Sequence, residues 1–179
     1  MSVDTKQLFV SRLRESTTEF FAGLGLPAAF VDRPAAGPAG RQIASVLGFS
    51  AWQIRGSLTV RSTVAFFEDT HPTAKGDSPI AQEAVVDWAG EFTNQLLGRF
   101  KNKMLSHGLD FQVGIPVTIY GENLAEVSVT TDGIVLQQQL RTGNHLLGMT
   151  LVGRLAPGVE LFAEPSGKLA AKPGVPLDL

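Results

Sequence analysis

The stretch AVVDWAGEFTNQLLGRFKNK, residues 84–103, decides the fold because it predicts one long amphipathic helix. Its apolar residues recur at steps of three and four, the spacing of a buried helical stripe: Val85, Trp88, Ala89, Phe92, Leu96 and Phe100. At 100° per residue, four other positions fall within a band about 60° wide on the opposite side: Asp87, Glu91, Asn94 and Gly98. The pattern predicts a helix with one face in the core and one polar face.

Two glycines, Gly90 and Gly98, lie at or beside this polar band. A glycine inside a helix costs about 1 kcal/mol relative to Ala. A bare backbone beside polar side chains lets another surface approach closely. Periodicity alone also allows a simpler interpretation, a solvated helix face of the kind any surface helix shows.

The longer stretch DWAGEFTNQLLGRFKNKMLSHGLDFQVGIPVTIYG, residues 87–121, resembles the signature of the CheX-type chemotaxis phosphatases in the CheC-like family. That signature is an acid or Ser, three residues, Glu, two residues and then Asn on a helix, followed roughly twenty residues later by a Pro on the next strand. The matching residues are Asp87, Glu91, Asn94 and Pro116, and the resemblance extends over residues 40–155.

The resemblance implies that Glu91 and Asn94 are catalytic. In the family the Asn aligns the attacking water and the Glu engages a lysine of the partner. A neutral carboxamide suits the first task, since it both donates to and accepts from water without placing negative charge near a phosphoryl group. Asp87, Gly90 and Gly98 are predicted to form the partner-binding surface, and Pro116 is assigned a structural role.

The implied partner is a CheY-like phosphorylated receiver domain in chemotaxis or related two-component signalling, which supplies its own Mg²⁺, so we expect no resident cofactor. The CheX branch forms homodimers through exchanged strands, and a homodimer is expected here. A single Glu-x-x-Asn helix is present rather than the pair of the CheC type. Two alternatives remain: a non-catalytic docking module resembling the flagellar switch proteins, and a structural homodimer.

Composition predicts one folded domain over residues 1–162 and an extended or disordered tail over 163–179. A net charge of −2 gives no electrostatic footprint for nucleic acid, and the absence of cysteine excludes disulfide and thiolate chemistry. Without a secretory leader or an apolar run long enough for a bilayer, a cytoplasmic protein is expected.

Several smaller groups are predicted to be structural rather than functional. Three dispersed histidines are predicted to be loop or surface residues rather than metal ligands: His71, His107 and His145. Both tryptophans, Trp52 and Trp88, are predicted core or interface anchors. A cationic cluster is expected to mark a solvated helix end: Arg99, Lys101 and Lys103.

The fold class is predicted as α+β, two-layer, with long helices packed on a largely antiparallel sheet, as in CheC-like proteins. The predicted helices cover 4–24 and 79–106, the second opened by Ser78-Pro79. Loops are expected over 32–40 and over 68–77. In the resembled family the interval that contains the second loop has a further helix. The predicted strands are 43–52, 54–67, an edge strand 113–120 broken at Pro116, 126–130, and a hairpin of 134–141 with 146–155.

Overall fold

The computed structural model describes residues 4–31, 40–74, 79–124 and 133–162. Within these ranges the chain forms three helices, which are α1 (Thr5–Gly23), α2 (Val64–Thr70) and α3 (Gln82–Leu105). The same ranges contain seven strands: β1 (Ala29–Val31), β2 (Arg41–Ser50), β3 (Ile54–Thr63), β4 (Gln112–Val113), β5 (Val117–Glu122), β6 (Ile134–Thr142) and β7 (His145–Leu155). The predicted strand 126–130 and tail 163–179, and most of the predicted loop 32–40, lie outside the described residues.

The strands form one antiparallel sheet in the order β1-β6-β7-β3-β2-β4, with β5 also paired to β2. Along β3, buried Ile54, Leu58 and Val60 alternate with side chains on the opposite face. The buried face packs against α1 and α3. We call the opposite side, marked by Arg55, Ser57 and Thr59 of β3 and their register partners, the outer face. The predicted α+β architecture is confirmed.

Helix α3 carries the predicted apolar stripe into the core, and every residue of that stripe is buried. The helix begins at Gln82, so the predicted start at Ser78-Pro79 is wrong. Its first backbone bond runs from the Val85 N–H to the Ala81 carbonyl at 3.2 Å. Ile80 and Val85 lie on either side of the N-cap residue Ala81 and line the same small cavity. An apolar pair in these positions fixes the angle at which the chain enters a helix.

Helix α2 replaces the end of the strand predicted over 54–67 and the start of the loop predicted over 68–77. Thr63 caps this helix by accepting a hydrogen bond from the Phe66 N–H at 3.3 Å. Phe66 and Phe67 are both fully buried. A strand would send these neighbours to opposite faces of the sheet, whereas adjacent helical positions can both face the core. A short helix is therefore present in the interval where the resembled family has one, and the prediction that only a loop fills this interval is wrong.

The strand predicted over 113–120 is confirmed as an edge element interrupted at Pro116. Its two parts, β4 and β5, both pair with β2 on the side away from β3. Between them the Gly114 N–H donates to the Gly48 carbonyl at 2.8 Å, and the ladder resumes at Val117. Proline has no N–H to donate, so the chain leaves the ladder where Pro116 stands.

His107 lies in the turn after α3, so the predicted loop position is correct, but the residue is fully buried and not at the surface. Its Nε2 accepts from Arg12 Nε at 2.9 Å, and its Nδ1 donates to the Phe162 carbonyl at 2.7 Å. The ring thereby joins α1, the end of α3 and the segment after β7. Trp88 is buried, as expected of a core anchor. Trp52 lies in the turn between β2 and β3 with 80% of its surface exposed, which excludes a core position and leaves its interface role a prediction.

The remaining predicted elements are close to those observed. Helix α1 spans Thr5–Gly23, capped by Asp4, whose carboxylate accepts from the N–H groups of Lys6 and Gln7. The hairpin of β6 and β7 is tighter than predicted, since Thr142 and His145 pair directly across a two-residue turn. No helix in the described ranges is both long and apolar enough to cross a membrane.

Among the described glycines, Gly56 of β3 has the least room for a Cβ. A Cβ built there would lie 2.1 Å from the Val152 carbonyl oxygen and 2.6 Å from the Phe49 ring. We expect Gly56→Ala to lower the free energy of unfolding by about 3 kcal/mol or more, because a backbone atom must move. Urea denaturation measures this.

Gly48→Ala is the matched control for Gly56→Ala. A Cβ at Gly48, on the neighbouring strand, would meet its nearest atom at 3.9 Å, an ordinary contact. Its unfolding free energy should stay within about 1 kcal/mol of the wild type. Equal stability of the two variants would contradict the close approach at Gly56.

Candidate functional site

The exposed side of α3 presents three side chains of the predicted band, Asp87, Glu91 and Asn94. Their orientation follows from the buried stripe on the opposite side of the same helix. Glu91 and Asn94 are three residues apart, so their side chains are neighbours on the helix surface. The structure therefore brings together the three polar residues predicted from the sequence.

The two predicted catalytic side chains differ in how they are held. Glu91 Oε1 accepts a hydrogen bond from Gln95 Nε2 at 2.8 Å. Within the described residues, the carboxamide of Asn94 has no hydrogen-bond partner, and Glu91 forms no salt bridge. An exposed carboxamide with free donors and acceptor can bind water and an incoming ligand at the same time.

The two glycines of the band have different surroundings. A Cβ at Gly98 would meet no atom within 4 Å, so the backbone there is open to an approaching surface. Gly90 is buried, and a Cβ there would lie 3.3 Å from Pro116 Cγ and 3.5 Å from Thr118 Oγ1. The surface role predicted for Gly90 is thus replaced by a packing role, because the approaching surface is the chain's own edge strand.

Pro116, at the break between β4 and β5, packs against α3. Its ring packs over Gly90, one residue before Glu91. Replacing Gly90 by any larger residue would press on this ring, since 3.3 Å is tighter than a normal Cβ contact. The proline of the sequence signature therefore fixes how the edge strand and the functional helix sit against each other.

Charge is distributed unevenly along the exposed side of α3. Its first half carries Asp87 and Glu91, and its last turns carry the predicted cationic cluster. Two members of that cluster are internally paired, Lys101 with Asp110 at 3.2 Å and Lys103 with Glu19 at 2.7 Å. The exposed surface is therefore acidic around the candidate site, with the paired lysines beyond it.

The three histidines do not form a cluster in the structure. Nδ1 of His71 lies 2.8 Å from the Thr73 hydroxyl, and Nε2 of His145 lies 2.8 Å from the Asp69 carboxylate. Across the described ranges, no group of three or more His, Cys, Asp or Glu residues is arranged to hold a metal ion.

Gln95 and Arg99 continue the row of Asp87 and Glu91 along α3 towards α1, and neither is among the site residues predicted from the sequence. Gln95 bonds Glu91 directly. The Arg99 guanidinium carbon lies 5.4 Å from the centroid of the Phe20 ring on α1. The signal in the sequence was their spacing, since both continue the four-residue step from Asp87 through Glu91.

Fold and site together define a CheC-like α+β domain in which one helix, α3, carries the Glu-x-x-Asn motif. The model of the family described as chemotaxis phosphatase CheX matches residues 43–138, which is more than half of the chain. The chain belongs to this family. Among proteins with curated descriptions, none matches the sequence.

Solved structures share the fold at low sequence identity. The chemotaxis protein CheX from Vibrio vulnificus is 19% identical, with a TM-score of 0.71 over 85% of this chain and 100% of that one. The CheX–CheY–BeF3–Mg²⁺ complex from Borrelia burgdorferi matches at 12% identity and a TM-score of 0.59, over 85% and 99%. The middle domain of FliM from H. pylori matches at 8% identity and 0.52, over 82% and 87%.

Gly98→Ala tests whether the backbone beside Asn94 is open. Since nothing obstructs a Cβ there, we expect the substitution to raise the free energy of unfolding by about 0.5–1 kcal/mol through helix propensity. The corresponding gain for Gly90→Ala should be smaller or absent, because Pro116 must move. Chemical denaturation of both variants measures this, and a loss of stability at Gly98 would contradict the open surface.

Proposed function

We propose that this protein accelerates hydrolysis of the phospho-aspartate of a CheY-like receiver domain, in the cytoplasm, in chemotaxis or related two-component signalling. One observation carries the proposal: Asn94 is exposed without a hydrogen-bond partner in the described chain, one turn from Glu91 on the same helix face. Membership of the CheX family supports it.

The proposed role of Asn94 is to position the attacking water. Hydrolysis of a phosphoryl group needs a water in line with the bond that breaks and neutralisation of charge on the transferring oxygens. A carboxamide accepts a hydrogen bond from the water and donates one to a neighbouring oxygen, without adding negative charge. An exposed side chain on a packed helix can enter a partner's site with little reorganisation.

The proposed role of Glu91 is to bind the lysine that the resemblance assigns to the receiver. A carboxylate aimed at the phosphoryl group would be repelled, whereas one aimed at an ammonium forms a charge-assisted pair. The hydrogen bond from Gln95 occupies Oε1 of Glu91. Asp87, one turn earlier and exposed, is proposed as a further docking contact.

In this proposal the chain itself holds no metal, and the Mg²⁺ that neutralises the phosphoryl oxygens belongs to the receiver. The Borrelia burgdorferi relative is a complex of CheX with CheY, BeF3 and Mg²⁺. A complex of that composition supports an activated, metal-loaded receiver as the partner of this chain as well.

We also propose a homodimer, formed through the β5 edge. Within the described residues β5 pairs with β2 alone, so its other edge has no partner strand. Its outer-face side chains Val117 and Ile119 are 62% and 48% exposed. An unpaired edge with apolar side chains is ready to join a strand from a second copy.

A non-catalytic docking module is the second candidate, because FliY from Thermotoga maritima and the FliM middle domain share the fold with TM-scores of 0.53 and 0.52. Docking alone does not require a carboxamide at Asn94. Binding of a receiver without faster phosphate release would favour this alternative.

Asn94→Ala should reduce receiver dephosphorylation by about 100-fold or more and change receiver affinity little, since the lost group orients water and does not anchor the partner. Phosphate release from a phosphorylated receiver and its dissociation constant are measured side by side. Asn102→Ala, an exposed Asn two turns later on the same helix, is the matched control and should retain full activity. Unchanged turnover in the Asn94 variant would contradict the mechanism.

Glu91→Ala should weaken both binding and turnover, because the lost carboxylate pairs with a charged group of the partner. We expect the dissociation constant to rise about tenfold or more, the loss typical when one member of an interfacial charge pair is removed. Glu91→Gln keeps the shape and should lose nearly as much. Normal affinity in both variants would show that Glu91 does not contact the receiver.

A further inference from the structure

A row of side chains on α3 extends from the candidate site towards α1. Four positions follow at steps of four residues, which is one of the natural surface ridges of a helix: Asp87, Glu91, Gln95 and Arg99. Each step advances about 6 Å and turns about 40° around the axis. The row runs from two carboxylates through an amide to a guanidinium, so it is acidic at one end and cationic at the other.

Arg99 differs from the two lysines that follow it. Lys101 and Lys103 form salt bridges with Asp110 and Glu19. Arg99 is exposed and has no acidic partner within the described part of the chain. It also lies six residues before the end of α3, and the cation in the last turn is Lys103. Its charge is therefore not explained by pairing or by the helix terminus.

The guanidinium of Arg99 is nevertheless held in place. Its Cζ lies 5.4 Å from the centroid of the Phe20 ring, a cation–π contact. A Cβ at Gly23 would lie 3.9 Å from one of its nitrogens, so the group rests at the junction of α3 and the end of α1. A positioned, unpaired cation loses little side-chain entropy when it meets an anion.

We propose that Arg99 is a further docking residue for the receiver, binding an acidic side chain that lies about 12 Å along the helix axis, and about 80° around it, from the lysine bound by Glu91. The inference rests on the proposed function, since it concerns the same partner. Opposite charges at the two ends of one ridge favour a single docking orientation, because the reversed orientation would bring like charges together. Arg99 would thus determine orientation and specificity, and Asn94 the chemistry.

The test is the affinity for a receiver activated with beryllofluoride and Mg²⁺, chosen from a panel as the one that binds the wild-type protein most tightly. Arg99→Met keeps an unbranched stem over Phe20 and removes the charge, so folding should be preserved. We expect its dissociation constant to rise about three- to fivefold, and that of Arg99→Glu about tenfold or more, with both effects shrinking at high salt. Phosphate release at saturating receiver should change little.

Arg55→Met is the matched control, since Arg55 is exposed on the outer face of the sheet and its loss changes the net charge equally. Its dissociation constant should stay within about 1.5-fold of the wild type. If Arg99→Met behaves like Arg55→Met, the docking role of Arg99 is overturned. Restoration of Arg99→Glu binding by an Asp→Lys or Glu→Lys change on the receiver would support it directly.

The same measurements separate this inference from the proposed function. A wild-type protein that binds the receiver without accelerating phosphate release contradicts the phosphatase proposal. The receiver affinities of the Arg99 and Arg55 variants still test the role of Arg99 in that case. A wild-type protein that binds no receiver of the panel overturns both. Acceleration with equal affinities for the Arg99 and Arg55 variants overturns the inference alone.

Discussion

The packing of Phe92 fixes the rotation of α3, and the whole candidate site depends on that rotation. The Phe92 ring lies 4.6 Å from Phe20, 5.5 Å from Phe66 and 6.0 Å from Trp88, centroid to centroid. Edge-to-face pairs of this kind contribute about 0.5–1.5 kcal/mol each beyond the burial of area. Because α1, α2 and α3 all supply rings to this cluster, α3 cannot turn without breaking several contacts. Asn94, two residues later, is held on the solvent side.

A second constraint fixes the helix against the sheet. Gly90 lets Pro116 approach α3 more closely than a larger residue would allow, at the point where the edge strand leaves its ladder. The residues around this contact thus have different roles. Gly90 and Pro116 set the distance between helix and strand, while Glu91 and Asn94, on the same helix, are exposed. The polar side chains are consequently presented on a rigid element, which favours accurate positioning in a partner's site.

Much of this arrangement could be predicted from the sequence, because the relevant signals are local. The spacing of Val85, Trp88 and Phe92 defines the buried side of α3, and the spacing of Asp87, Glu91 and Asn94 defines the exposed side. The edge position of the Pro116 strand follows from the missing N–H. These inferences needed no knowledge of distant contacts.

The errors came from tertiary context. Phe66 and Phe67 continue an apolar strand pattern, and the sequence does not show that the core has room for both rings. His107 resembles a polar turn residue until Arg12 and Phe162, distant in sequence, are seen to satisfy both ring nitrogens. The burial of Gly90 likewise depends on where a strand two dozen residues later is placed. The sequence groups Arg99 with Lys101 and Lys103, whereas in the structure the two lysines form salt bridges and Arg99 contacts the Phe20 ring.

The central claim is that the exposed side of α3 enters the receiver's active site. The most direct measurement is the structure of this protein bound to a receiver that carries beryllofluoride and Mg²⁺. The account predicts that the Asn94 carboxamide lies within hydrogen-bond distance, about 3 Å, of the water in line with the phosphoryl mimic, with Glu91 against the receiver's lysine. A receiver bound to the outer face of the sheet, with Asn94 still in solvent, would contradict it.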